Sequence, residues 1–301
     1  MRRRRRIGAY GLCWDEDRVL LVRSSAAAGI PGVWQLPGGG LAHAEDPRTT
    51  VVREFGEETG LRIEITAPLR VISDVLRFPA ATVHTDRIVF QVRSTERTLR
   101  AESGGTTDAA RWFSPAELVD LPLMPYTAEL LDQPVRALPA PVRDVPGEPL
   151  RTDRGQRFAA YGLTTDPADR LLLTRIAAGY PGAGCWHLPG GGTDHGEQPV
   201  TGLLREIVEE TGQSGQVTEL LDISHSHDPA AIGPEGYPVD WHAVHAVYRV
   251  LVGAPSDPSV NEAIGGSTEQ ARWFTRQELR RVPLTAVAER AIAILSWENS
   301  A

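Results

Sequence analysis

Four short blocks occur in the same order in each half of this 301-residue chain, and that duplication limits its fold more than any other feature. Arg6-Ile-Gly-Ala-Tyr10-Gly-Leu is answered by Arg157-Phe-Ala-Ala-Tyr161-Gly-Leu, and Trp34-Gln-Leu-Pro-Gly-Gly-Gly40 by Trp186-His-Leu-Pro-Gly-Gly-Gly192. Arg53-Glu-Phe-Gly-Glu-Glu-Thr-Gly60 returns as Arg205-Glu-Ile-Val-Glu-Glu-Thr-Gly212, and Ala110-Arg-Trp-Phe-Ser114 as Ala271-Arg-Trp-Phe-Thr275. Repeats this long are whole domains, not solenoid units. The proline-spaced stretch between them reads as an extended linker. The expected organisation is a domain over 1–137, a linker over 138–154 and a second domain over 155–301.

Each half alternates short apolar runs with helical patterns. Arg18–Arg23 and Arg170–Thr174 read as buried strands, and so do 83–92 and 241–250. A helix is expected over 47–59 and again over 199–211, with proline in its first turn and Gly60 or Gly212 just beyond its end. A second helix should close each half, starting at the capping boxes Ser114-Pro-Ala-Glu117 and Thr275-Arg-Gln-Glu278. This order implies an α/β fold with a mixed sheet between helices.

On the first long helix, Glu54, Glu57 and Glu58 are spaced i, i+3, i+4 and share a face, with Val51, Val52, Phe55 and Thr59 opposite. Glu206, Glu209 and Glu210 stand in the same way against Leu203, Leu204, Ile207 and Thr211. Clustered acids usually mark a solvated face, but here they repel one another and oppose the helix dipole at its C-terminal end. A hard divalent cation such as Mg²⁺ removes that conflict. Glycine turns at Gly38 and Gly190 are placed to add a backbone carbonyl, and Arg53 and Arg205 to hold one glutamate by charge-assisted bonds.

These residues resemble the Nudix box: Gly, five residues, Glu, seven residues, then Arg-Glu-apolar-any-Glu-Glu-any-Gly-apolar. Gly39, Glu45, Arg53, Glu54, Phe55, Glu57, Glu58, Gly60 and Leu61 fill every position. Gly191, Glu197, Arg205, Glu206, Ile207, Glu209, Glu210 and Gly212 repeat it, and only Gln213 departs, where an apolar residue is expected. The resemblance implies two Nudix-type α/β/α sandwich domains in tandem. It also implies Mg²⁺- or Mn²⁺-dependent hydrolysis of a diphosphate linkage in a nucleoside triphosphate or another nucleoside diphosphate derivative, by water attack at phosphorus. Glu57, Glu58, Glu209 and Glu210 would then coordinate metal with Gly38 and Gly190. Glu54 and Glu206 would join the cluster or orient the water, Arg53 and Arg205 would fix them, and Gly39, Glu45, Gly60, Gly191, Glu197 and Gly212 would support the box. One active and one regulatory domain, or a nucleotide sensor without turnover, stand as alternatives.

Some family members also draw a base or ligand from a downstream loop, for which Glu102, Asp108, Glu262 and Glu269 are the candidates here. Arg23 and Arg175 follow a strand in both halves and offer a phosphate contact. Trp34, Trp112, Trp186 and Trp273 read as core anchors, and His43 and His195 as loop histidines. The halves diverge at Ser73–Ala81 and at Ile223–Trp241, which are expected to be recognition loops; in the latter, His225, His227, Tyr237 and Trp241 offer surfaces for stacking on a base.

A net charge of −8 argues against a nucleic-acid polymer as partner. No apolar run reaches membrane-spanning length, so no membrane is expected. The partner is a small diphosphate or nucleotide, with homo-oligomerisation left open. The Arg2–Arg6 run lacks the apolar stretch of a signal peptide and reads as a solvated, frayed end. Two cysteines, Cys13 and Cys185, fit buried thiols in a reducing, cytoplasmic setting.

Overall fold

Ile7 to Cys13 is buried without interruption, a pattern that suits a strand covered on both faces. In the computed structural model, which describes residues 2–100, 104–142, 153–232, 237–261 and 266–295, this run is the centre of strand β1 (Arg2–Asp15). Around it lie β2 (Arg18–Ser24), β3 (Trp34–Gln35), β4 (Gly38–Gly40), β5 (Glu64–Arg77), β6 (Ala81–Arg93) and β7 (Thr107–Phe113). They form one sheet in the order β3-β2-β1-β6-β5, with β4 also paired to β1 and β7 to β2. The sheet is mixed, because β1 runs parallel to β6 while β2, β4 and β7 pair antiparallel.

The second half repeats the path. Strands β8 (Arg154–Thr165), β9 (Leu171–Ile176), β10 (Trp186–His187), β11 (Gly190–Gly192), β12 (Gln216–Ile232), β13 (Pro238–Leu251) and β14 (Thr268–Phe274) order as β10-β9-β8-β13-β12. Strand β11 pairs with β8, and β14 with β9. The chain divides into two compact units: Met1–Gln156 with His225–Ala243, and Arg157–Ser224 with Val244–Ala301.

Helices α1 (Pro47–Thr59) and α4 (Pro199–Thr211) start and stop where the punctuation requires. Pro47 sits in the first turn behind Asp46, whose side chain accepts from Arg48 N. Gly60 and Gly212 terminate the helices in the left-handed conformation, at φ 75° and 69°. Val51, Phe55 and Thr59 are fully buried as expected, but Val52 is 43% exposed. The buried arc is centred nearer Glu58, so Val52 falls outside it.

The capping boxes Ser114/Glu117 and Thr275/Glu278 are both made, yet each opens only a single turn, α2 (Pro115–Leu118) and α5 (Arg276–Leu279). The closing helices are later ones, α3 (Pro125–Leu130) and α6 (Ala286–Ile294). Trp34 packs edge-on against Phe113 at 4.7 Å, and Trp186 against Phe274 at 4.6 Å, which makes both tryptophans core anchors. Buried Gln213 fills the one departing box position by bonding instead of packing, donating to Thr211 O and Ser256 Oγ and accepting from Ser256 N.

Two expectations are corrected. Arg2–Arg6 is not a frayed end, because it pairs in register with Ala81–Thr85. Arg5 forks onto buried Asp86, which also accepts from Ser73. Burial opposes charge on Asp86, but the bonds from His84 and Arg5 hold its carboxyl below the usual range. The divergent segments are not loops either, since most of Ser73–Ala81 and Ile223–Trp241 lies in β5, β12 and β13.

Candidate active sites

The Pro-Gly-Gly-Gly turn brings β4 against β1, and Gly38 is where that approach is tightest. Its φ is 141°, and a β-carbon there would sit 2.3 Å from Ala9 O. Gly190 repeats this at φ 130° and 2.3 Å from Ala160 O. Only glycine fits. The freed amide of Gly38 donates to Glu58 Oε2 at 2.8 Å, and Gly190 N donates to Glu210 Oε2 at the same distance. Glu58 and Glu210 are therefore buried beneath the glycine turn, and Glu210 also accepts from Thr268 Oγ1 at 2.7 Å.

Arg53 organises the outer carboxylates. Its Nε and Nη2 fork onto Glu45, while Nη1 donates to Glu54 at 2.8 Å and to Glu57 at 3.2 Å. Arg205 makes the same four contacts, to Glu197, Glu206 and Glu209. The fork holds the Glu45 carboxyl far below its ordinary range, at about 2. Glu54 goes the other way. Burial raises its pKa despite Arg53, leaving a carboxylate that lacks full compensation for its charge. The three helix glutamates thus grade from half-exposed Glu57 through Glu54 to buried Glu58, instead of lying together on a solvent face.

The other candidates pair with each other. Arg23 Nε meets Asp108 at 2.8 Å across β2 and β7, and Arg175 meets Glu269 at 2.8 Å across β9 and β14. Glu102 and Glu262 lie outside the described residues. His195 stands in the turn before Glu197, whereas His43 lies beside His227 and Asp240.

Sequence reasoning missed two arginines. A β-carbon on Gly40 would lie 2.7 Å from Arg6 Nε, and one on Gly192 would lie 2.9 Å from Arg157 Nε. Both guanidinium groups therefore rest on the glycine strand beside the carboxylate helix, and the charge of Arg6 favours ionised Glu54. Among the described residues neither side chain makes a hydrogen bond or ion pair. The signal was available, because each arginine opens the first repeated block.

Behind the glycine strands the halves differ. Tyr10 and Tyr161 hold the same register, opposite Gly38 and Gly190. Tyr10 Oη accepts from buried Arg87, which forks onto Asp74 and stacks 4.4 Å from the Tyr126 ring centroid. Tyr161 instead packs against His187 at 4.5 Å and His245 at 5.9 Å. Burial, with His245 and Arg157 nearby, pushes His187 down to about 4, so it is neutral at neutral pH.

The NUDIX domain model matches residues 2–133 and again 155–297. A MutT-like protein of Streptomyces ambofaciens is 32% identical over 118 residues, covering 39% of this chain and 69% of that protein. Putative 8-oxo-dGTP diphosphatase 3 of Mycobacterium tuberculosis is 33% identical over 156 residues, covering 46% of this chain and 65% of that protein. An RNA pyrophosphohydrolase of Rhizobium meliloti is 46% identical over 56 residues, and only 33% of its length is spanned. Among solved structures, a MutT NUDIX hydrolase from Burkholderia pseudomallei aligns at 26% identity and a TM-score of 0.38, over 43% of this chain and 98% of that one.

Proposed function

Because the chain belongs to the NUDIX domain family through both halves, we propose that it is a tandem diphosphohydrolase with one metal-dependent site in each half. The observation that carries this reading is the duplicated cluster in which Arg53 or Arg205 gathers three carboxylates beside a glycine turn. The catalytic domains are taken as 1–137 and 155–301, joined by 138–154.

The donor set fits a hard divalent cation. Oxygen ligands only are offered, and the incomplete compensation at Glu54 is what a cation would supply. Glu54, Glu57 and Glu58 with Gly38 would hold Mg²⁺ or Mn²⁺ in the first site, and Glu206, Glu209 and Glu210 with Gly190 in the second. An ion held there supplies neutralisation of the diphosphate oxygens and a more acidic water. Arg53 and Arg205 keep the carboxylates oriented. Glu54 and Glu206 orient the attacking water and accept its proton, a task suited to the raised pKa of Glu54. The new P–O bond forms as the anhydride P–O bond breaks, and the phosphate leaves on the far side. Arg6 and Arg157, with no carboxylate of their own, neutralise the substrate's diphosphate.

The two halves act on different substrates in this reading, because Arg87 and Asp74 back one tyrosine and His187 and His245 the other. Small nucleotides are the class proposed, including nucleoside triphosphates, their oxidised forms and ADP-ribose. Free Cys13 and Cys185 agree with a cytoplasmic setting, and no described helix is long and apolar enough to cross a membrane.

The test is Mg²⁺-dependent turnover of a diphosphate panel by the intact protein, by Glu57→Gln/Glu58→Gln and by Glu209→Gln/Glu210→Gln. Each double substitution should abolish a different part of the profile. An intact protein that turns over nothing on the panel would reverse the proposal in favour of sensing.

A further inference from the structure

Four of the eight histidines in the chain, His43, His225, His227 and His242, gather with Asp46 and Asp240 inside the first compact unit. The pattern behind this is simple. His225 and His227 are two apart on β12, and Asp240 and His242 two apart on β13, so each pair shares one face of its strand. His227 Nε2 lies 2.6 Å from Asp240 Oδ1, and His43 Nε2 lies 2.9 Å from the same oxygen. All three ligand atoms fall within 4.8 Å of one another. The His43 ring stands edge-on to His227 at 5.7 Å and to His242 at 5.8 Å.

Two features distinguish this cluster from an ordinary hydrogen-bonded pair. His43 Nε2 is buried, and despite its closeness to Asp240 it makes no well-directed hydrogen bond. Two imidazole nitrogens also converge on one carboxylate oxygen. An outer set is in place as well. Arg154 Nε stands 3.4 Å from Asp240 Oδ2, and Asp240 N donates to Asp153 O. His225 bridges Asp46 and His242, each at 3.3 Å.

We propose that His43, His227 and Asp240 form a binding site for a borderline transition-metal ion of the Zn²⁺ class, separate from the two carboxylate sites. Two imidazoles and one carboxylate suit Zn²⁺ better than Mg²⁺, which prefers oxygen alone. Three protein ligands leave one tetrahedral position for water. An ion among these atoms, which lie within 4.8 Å of one another, would draw them to the ~2.0–2.2 Å bonds it needs. His43 also lies two residues before Glu45, so the ion would pin the turn that carries the arginine-clamped glutamate.

The experiment is calorimetric titration of the full chain with Zn²⁺ in excess Mg²⁺, which occupies the carboxylate sites, paired with Co²⁺ absorption spectroscopy as a report on nitrogen ligation. The expected result is one Zn²⁺ per chain and a Co²⁺ spectrum of low-symmetry, mixed nitrogen–oxygen ligation. His227→Ala and the milder His227→Gln should each weaken binding at least about tenfold, and Asp240→Asn should do likewise. His225→Ala should retain the ion. Circular dichroism of each variant separates loss of ligand from loss of fold. The proposal is overturned by absent binding, by Zn²⁺ that Mg²⁺ displaces, or by affinity unchanged in the folded His227 and Asp240 variants.

Discussion

Arg53 closes on Glu45 through two parallel hydrogen bonds, Nε to Oε1 at 2.9 Å and Nη2 to Oε2 at 3.0 Å, with Nη1 left to hold Glu54 and Glu57. A single planar fork thus fixes three carboxylates. Lysine is a point charge and cannot span them. Arg53→Lys should lower turnover at the first site by about 10²-fold, the cost of an ångström-scale misplacement, and should leave turnover at the second site intact. Arg205→Lys should show the converse. The measurement is kcat for each variant in a background where the other site carries the double Glu→Gln change, and equal losses at both sites would contradict the assignment.

Gly38→Ala should cost stability as well as activity. The new methyl group would meet Ala9 O at 2.3 Å, on a backbone whose φ of 141° disfavours any side chain. Strain of this kind costs on the order of 1–3 kcal/mol, and relief by shifting β4 would pull Gly38 N away from Glu58. Urea denaturation of Gly38→Ala and Gly190→Ala against the parent checks this. Gly253→Ala serves as control, since a methyl group there meets nothing within 4 Å and the backbone is not in the left-handed region.

What was legible in the sequence follows from the physics of each element. Helices α1 and α4 were readable to the residue because proline, the apolar spacing and a terminal glycine all agree. Capping boxes at Ser114 and Thr275 identify where a helix starts but not its length, so the later helices α3 and α6 were missed. The carboxylates were visible, but their grading was not. Glu58 is buried by β4, a tertiary partner that a helical wheel does not contain. The Arg2–Arg6 run looked like a charged tail because its stabilising partners, β6 and Asp86, lie about eighty residues away. The histidine cluster was hidden for the same reason, with His43 nearly two hundred residues from His227 and Asp240.

His187 gives the second unit a pH signature. Its folded pKa, about 4, lies below the ordinary 6.5 because burial disfavours the charged ring, with His245 and Arg157 acting in the same sense. An unfolded chain takes up a proton as pH falls below 6.5, while the folded ring resists until about 4. The stability this ring contributes is complete above pH 6.5 and is lost progressively between 6.5 and 4. Denaturation midpoints across that window should fall less steeply for His187→Phe than for the parent. Identical slopes would mean that the ring titrates normally in the fold.

Arg6 and Arg157 separate a binding role from a structural one. Arg53 has carboxylate partners whose loss would itself disturb the site. Arg6 has none among the described residues, so Arg6→Met removes charge while keeping most of the apolar stem. Stability should stay within about 0.5 kcal/mol of the parent, as for surface changes away from special contacts. Catalytic efficiency should not. A charge-assisted hydrogen bond to phosphate is worth about 1.5–3 kcal/mol, so kcat/KM should fall roughly 10- to 100-fold at the first site for Arg6→Met and at the second for Arg157→Met. If the arginines grip substrate and transition state equally, the loss appears in KM alone; if they meet charge that develops only on attack, it appears in kcat. An unchanged kcat/KM in both variants would remove these arginines from the substrate path and leave Arg23 and Arg175, already engaged with Asp108 and Glu269, as the remaining cations proposed to meet the diphosphate.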